Sequence, residues 1–226
     1  MEKYASYSRM GCQKAKNDSS IESSIGRFMF ESLWSKFKDS ERISDKKLQI
    51  KGIDVRIGNM NIDEKCKYYD KRTESGFMTT LLQYPSFELS FVNQSGNVQT
   101  GWFLNSESLT THYAFIQPFV KDGVTSSNFT IDGIDKMNVL VFEKRGLNGI
   151  KEEYDLLSDS INLRDVCLVG GNERKPYPRK PYYLKCSSKF QEKPVNLIIP
   201  RSYLRLLPNS LELEWTSDTR KWKKIE

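Results

Sequence analysis

The stretch from Lys51 to Lys67, KGIDVRIGNMNIDEKCK, constrains this chain more than any other, because apolar and ionisable residues alternate there on either side of a turn. Ile53, Val55 and Ile57 alternate with Asp54 and Arg56. Gly58-Asn59 supplies turn chemistry, and Ile62, Glu64 and Cys66 alternate with Asp63, Lys65 and Lys67. The pattern predicts a β-hairpin. Side chains of a strand repeat with period two, so Asp63 and Lys65 leave the backbone on one face, and the first strand can bring Asp54 beside them.

Two carboxylates and an ammonium held together suit a particular chemistry. Asp54 and Asp63 are hard oxygen ligands of the kind that Mg2+ or Mn2+ takes, and Lys65 can set a fixed positive charge beside a phosphate under attack. The expected reaction is phosphodiester hydrolysis. On a merely exposed strand edge the same residues would be cross-strand ion pairs, each contributing ~0.2–1 kcal/mol. Against that reading, both strands carry apolar residues on the alternate face, and Asp54 is set between Ile53 and Val55.

The order Gly52-Ile53-Asp54-Val55, a turn, then Ile62-Asp63-Glu64-Lys65 resembles the core of the PD-(D/E)XK nuclease superfamily, with its restriction-endonuclease-like fold. The resemblance covers residues 18 to 120. It implies an α/β fold in which a central mixed β-sheet is flanked by helices, here with a C-terminal elaboration over 121–226. It also implies a divalent-metal-dependent nuclease, with DNA the first substrate to expect. Carried over residue by residue, Asp54 is the first acidic residue, and Asp63 with Lys65 is the Asp/Glu-x-Lys triplet. Asp54 and Asp63 would hold Mg2+ or Mn2+. A glutamate on the first helix commonly completes such a site, which points to Glu22 and, after it, Glu31; Glu22 is equally explained as a capping residue. Gly52-Ile53 stands where the superfamily often has a proline. The later run Pro85-Ser-Phe-Glu-Leu-Ser-Phe91, followed by Gly101-Trp-Phe-Leu104, is similar to uncharacterised bacterial and phage-borne members. The competing expectation is a nucleic-acid-binding or protein-interaction module that keeps the fold without turnover.

Composition narrows the alternatives. At 226 residues the chain can bury a substantial core as a single domain, expected over 18–226 behind a flexible arm of residues 1–17. Charged residues make up 28%, and no apolar run approaches the ~20 residues that a membrane span needs. The N-terminal Met1-Glu2-Lys3-Tyr4 lacks an apolar signal region, so the expectation is a cytoplasmic protein with no membrane partner. Lysine plus arginine exceed aspartate plus glutamate by 35 − 29 = 6, which suits a polyanionic partner. A homodimer is compatible with this reading. The four cysteines show no metal-ligand spacing, and reduced thiols are expected. With His112 the single histidine, His-dependent nucleases, zinc hydrolases and Ser-His-Asp chemistry lose their support, whereas a carboxylate-lysine site needs no histidine.

Along the chain, Ile21, Ile25, Phe28, Leu33, Trp34 and Phe37 approximate the stripe of a helix opening at Ser19-Ser20-Ile21-Glu22. Residues 38–49 read as a charged connection, in which Arg42 and Gln49 are candidates for substrate contact. Phe87–Val92 reads as a strand, with Glu88 on its polar face; Gly101–Leu104 is its expected hairpin partner. Thr110–Gln117 fits a short helix or a strand. Met137–Phe142 is a strand, Gly149–Leu163 a helix carrying Ile150, Tyr154, Leu157 and Ile161, and Pro194–Ile199 a buried strand. Residues 170–183 mix prolines, tyrosines and basic residues without periodicity, which predicts a loop. Its Arg174, Lys175, Arg179 and Lys180 are candidates for phosphate contact, with neighbouring tyrosines for base stacking, although Pro-Tyr segments also pack as plain extended loops. Arg220–Lys224 is expected as a basic tail.

Overall fold

Residues 20–32 form the first helix, α1, because Ile21, Ile25 and Met29 recur every four positions and are buried, with Leu33 just beyond. The computed structural model describes residues 20–66, 84–93, 95–125, 127–170, 174–187 and 192–225. The expected N-terminal arm and the Ser19 cap lie outside them. The buried row runs through Met29 rather than on to Phe37, which is 44% exposed. The reason is that α1 gives way to a 3-10 turn at Trp34–Lys36, whose tighter winding carries Phe37 off the core face.

The charged connection expected over 38–49 is structured instead. Ser40–Arg42 is an edge strand, β1, anchored by buried Ile43, and Lys46–Ile50 is a short helix, α2, whose N-terminus is capped by Asp45 accepting from the Lys47 amide at 2.8 Å. Then comes the expected hairpin: β2 (Val55–Ile57) pairs antiparallel with β3 (Met60–Cys66) around Gly58-Asn59, with Gly58 at φ 54°. Thr110–Gln117 resolves as a strand, β6 (His112–Val120), after β4 (Ser86–Val92) and β5 (Val98–Thr100). β6 runs parallel to β3 and antiparallel to β7 (Ile134–Glu143). The helix expected over 149–163 is two: α3 (Asn148–Glu153) and α4 (Leu156–Gly170), separated where Tyr154 is extended. After it come β8 (Arg174–Pro176), β9 (Tyr183–Cys186), β10 (Val195–Ile198), a short helix α5 (Arg201–Arg205), β11 (Leu211–Thr216) and β12 (Trp222–Lys224).

The fold is therefore mixed α/β. A seven-stranded mixed sheet has the order β1-β2-β3-β6-β7-β11-β12, and a five-stranded sheet the order β5-β4-β10-β9-β8. One core packs on the α1 side of the larger sheet, with Ile25, Met29, Val55, Ile62, Ala114 and Val139. The other lies between the sheets, where Phe87 of β4 meets Tyr113, Phe115 and Phe142 of the larger sheet with ring centroids 5.2–6.4 Å apart. Residues 121–226 do not form a separate elaboration. β7, β11 and β12 complete the larger sheet, while β8–β10 join β4 and β5 in the smaller.

Three further expectations are corrected. Gly101–Leu104 is a turn, and the hairpin partner of β4 is β5. A β-carbon on Gly101 would lie 2.4 Å from the Glu88 carbonyl oxygen, so the turn packs its backbone directly on β4. On α4 the buried face is Leu156, Ser160, Leu163 and Arg164, whereas Leu157 and Ile161 are 44% and 40% exposed. Arg164 and Ser160 turn inward because Ser90 of β4 offers a buried hydroxyl, bonded at 2.7 and 3.0 Å. The basic tail at 220–224 is mostly edge strand β12, whose Lys223 pairs with Glu214 at 2.8 Å. Among the described residues, Cys66 is a free thiol, and no helix is long and apolar enough to cross a membrane.

Candidate functional site

The site begins with a strand that stops early. The Ile53 amide donates to the Leu48 carbonyl of α2 at 3.1 Å, so β2 leaves the sheet just before Asp54, whose own amide still reaches the Ile62 carbonyl at 2.9 Å. The Glu64 amide on β3 thus loses its backbone acceptor. The Asp54 carboxylate replaces it, with Oδ2 accepting from Glu64 N at 2.8 Å. Among the described residues no strand pairs with β3 on this side beyond Ile62, and Asp54 sits at that corner. Gly52 at φ 78° makes the approach possible, since a β-carbon there would meet Thr110 Oγ1 at 2.3 Å and Asp63 Oδ2 at 3.3 Å. This local requirement accounts for a glycine two positions before Asp54.

Register assigns the faces of β3. Asp63 and Lys65 lie opposite Tyr113 and Phe115, which belong to the core between the sheets, while Glu64 lies opposite Ala114, which belongs to the α1 core. Asp63 and Lys65 do share a face, as the period-two pattern predicts. Lys65 Nζ is 2.8 Å from Asp63 Oδ1 and 4.3 Å above the centroid of the Trp102 ring, a cation–π contact that fixes the ammonium from the other side. Asp63 is only 4% exposed. Burial pushes its carboxyl up to about 6; the Lys65 ammonium opposes this, and the neighbouring Asp54 carboxylate adds to it by charge and by hydrogen bonding. Asp54 and Asp63 are therefore side by side.

Glu64 is equally buried but differently held. Arg42 Nη1 bonds its Oε2 at 2.8 Å and Trp34 Nε1 bonds its Oε1 at 2.8 Å. Burial raises its carboxyl, opposed first by Arg42. Gly26 of α1 makes the room, since a β-carbon there would lie 2.2 Å from Arg42 Nη2 and 3.1 Å from Glu64 Oε2. Arg42, expected as a substrate contact, is thus the counter-ion of a buried glutamate, although its guanidinium also borders the cleft.

Two adjoining cavities, of about 470 and 250 Å3, meet at this open strand edge, and both are bordered by Gln49, Asp54, Glu64, Lys65 and Trp102. Glu22 lines the larger from α1, and Asp63 the smaller; Glu31 borders neither. Gln49 donates its side-chain amide to the Ile43 carbonyl at 2.9 Å. Cys66 also faces the larger cavity, where burial, then the Glu22 and Glu64 charges, push its thiol well above the usual range and disfavour the thiolate. Glu88 lies on β4 of the other sheet, its carboxyl raised by burial and by Glu192 and lowered by the charge of Lys65.

Arg174, Lys175, Arg179 and Lys180 border neither cavity. Far from a bare loop, β8 is an edge strand, because Pro176 can occupy an edge position and Tyr177 and Tyr182 are buried beneath the turn. Lys175 pairs with Asp159, Lys180 with Glu153 at 2.9 Å, and Arg174 stacks 3.8 Å above Tyr183. Arg179 occupies the turn at φ 58° and is exposed. Sequence reasoning missed Trp34, Glu64 and Trp102. Glu64 carried a signal, since it alternates with Ile62 and Cys66 and an acid on an apolar face needs a buried partner.

Searches against protein-family models, curated proteins and solved structures find no match to this chain. Among the described residues, no group of three or more His, Cys, Asp or Glu side chains is gathered as a metal-ligand set. Two carboxylates remain, which is the number Mg2+ commonly takes from protein when waters and phosphate oxygens supply the rest. The crowding of Asp54 against buried Asp63 is a charge pattern that a divalent cation would relieve.

Proposed function

We propose that the chain is a divalent-metal-dependent nuclease that hydrolyses phosphodiester bonds, with DNA as its substrate and a restriction-endonuclease-like organisation of its core. The observation that carries this reading is the convergence of Asp54, Asp63 and Lys65 on one open strand edge. Asp54 and Asp63 are the residues that would hold Mg2+ or Mn2+. When bound, the metal would polarise the scissile phosphate and acidify water.

The rest of the chemistry belongs to side chains. Lys65, fixed between Asp63 and the Trp102 ring, presents a positive charge where negative charge develops on the phosphate, and needs little rearrangement to do so. Its side chain is 27% exposed, so a substrate oxygen can reach it. Trp102 walls one side of the cleft. Glu64, through its amide to Asp54, and Arg42, through Glu64, orient the first carboxylate. Glu22 borders the same cleft from α1 and adds a further carboxylate to its wall.

The test is incubation of the pure protein with supercoiled plasmid and with single-stranded DNA, in Mg2+, Mn2+ or EDTA. Metal-dependent nicking or degradation that EDTA stops is expected. DNA binding without cleavage in either metal would instead identify a non-catalytic nucleic-acid-binding module.

A further inference from the structure

A third cavity, of about 420 Å3, opens where β6 begins and β7 ends, bordered by Thr111, His112, Glu143, Lys144, Arg145 and Asn148. The last rung of the β6–β7 ladder is His112 opposite Glu143, and the Lys144 amide closes the end on the Thr111 carbonyl at 2.8 Å. Side chains beyond that rung splay around a small basin. Its one acid, Glu143, is already engaged, paired with Arg145 and accepting from Asn209 at 2.9 Å. Lys144 is half-buried, and among the described residues it makes no ion pair.

A second ammonium stands nearby. Lys151 of α3 donates to the Phe103 carbonyl at 2.9 Å and sits 4.3 Å above the Phe103 ring, and it too has no ion-pair partner among the described residues. Burial, then the charge of Lys144, bring the Lys151 ammonium down to about 8. Lys144 is likewise lowered by burial, and the charge that favours its ionised form is that of Asp63. Lys144 thus borders the basin as a desolvated cation that makes no ion pair among the described residues, and Lys151, which borders a different cavity, adds a second positive charge to its surroundings. That arrangement is costly unless an anion arrives.

We propose that this basin binds a second phosphate of the substrate strand, with Lys144 supplying the charge, reinforced by the field of Lys151, and Asn148 supplying a further polar contact. The location follows from Thr110, which borders the basin and donates its hydroxyl to the Gly52 carbonyl at 2.8 Å, while a β-carbon on Gly52 would meet both Thr110 Oγ1 and Asp63 Oδ2. A strand with one phosphate at Asp63 can place a neighbouring one here. The inference rests on the nuclease reading only in taking the partner to be a nucleic-acid strand. The phosphate would be either an internal diester or a terminal monoester.

The test is DNA binding in EDTA, which needs no cleavage, with the full chain and the variants Lys144→Ala, Lys144→Arg and Lys36→Ala. Lys144→Ala should weaken binding about tenfold at low salt and lower the log–log salt slope by about one, Lys144→Arg should retain most of both, and Lys36→Ala, an exposed lysine on the 3-10 turn, should change little. Because Lys144→Ala can disturb the fold, the unaltered protein provides a second measurement. Bound DNA should protect Lys144, but not Lys36, from acylation read by mass spectrometry. Closed circular DNA and linear oligonucleotides with phosphate or hydroxyl ends separate the two sources: Lys144 dependence on circles assigns an internal phosphate, and dependence only with phosphorylated ends assigns a terminal one. Binding and acylation that are indifferent to Lys144 with every substrate overturn the proposal. Binding that depends on Lys144 without any cleavage would sink the nuclease reading and leave the phosphate basin standing.

Discussion

Asp63 and Glu64 are adjacent carboxylates on one strand, both nearly excluded from water, and they have opposite fates. Glu64 faces α1 and is met by a guanidinium and an indole N–H, with a glycine cut into the helix to admit them. Asp63 faces the inter-sheet core, where it meets one ammonium and another carboxylate. The first is a satisfied buried ion pair, whose value lies in fixing how α1, β1 and β3 meet. The second is held in a state its own surroundings disfavour. That unrelieved charge is what the proposed metal site would neutralise.

The contrast can be broken most forcefully by activity. Asp63→Asn and Lys65→Ala should each cut metal-dependent cleavage by at least ~10²–10³-fold, because each removes a preorganised electrostatic element. Both variants should keep their far-ultraviolet circular dichroism. Wild-type rates in both would point to a different site or a contaminating nuclease.

On the Glu64 side the expected loss is one of stability. Arg42→Ala leaves a buried carboxylate with the Trp34 indole as its remaining side-chain donor. Breaking a fully buried pair costs ~3–5 kcal/mol, and since the Arg42 side chain is 30% exposed, about 2 kcal/mol is the expectation here. Chemical denaturation measures it; an unchanged midpoint would show that Glu64 does not depend on Arg42.

Metal should distinguish the two acids directly. At about 100 times its dissociation constant, Mg2+ or Mn2+ should stabilise wild type by about 2.7 kcal/mol, and Asp63→Asn by much less. Binding requires the Asp63 carboxylate, so the metal-induced rise in melting temperature should shrink as pH falls below about 6. Equal shifts in wild type and Asp63→Asn would remove Asp63 from the metal shell.

The smallest effect runs against intuition. The folded-state value of Asp63, about 6, lies above its ordinary 3.8, so its contribution to stability is fully present below pH 3.8 and is lost as pH rises through 6. Asparagine never ionises and still offers Lys65 an acceptor oxygen. Without metal, Asp63→Asn should therefore be more stable than wild type by about 1 kcal/mol at pH 7–8, and the advantage should fade toward pH 4. A variant less stable at pH 8 would mean that the Asp63–Lys65 ion pair outweighs the desolvation of Asp63.

What the sequence by itself determined is the local pattern within the central hairpin. Alternation put Asp63 and Lys65 on one face, Gly58-Asn59 formed the turn, and the repeat from Ile21 marked α1, since these depend on the backbone periods of single elements. Tertiary structure decided which partners close on them. Trp102 was expected on a strand and is delivered by a turn that packs on β4; Arg42 was expected at the substrate and is paired with Glu64. Of the tyrosine-rich segment expected as a loop, Arg174–Pro176 is an edge strand, because β9 offers its backbone, while residues 177–182 turn back to β9 and Asp159 and Glu153 take the lysines on either side. Likewise the polar inner face of α4 follows from one hydroxyl, Ser90, some seventy residues earlier in the chain. Pairings across such distances are set by the register of the sheets, which no local period encodes.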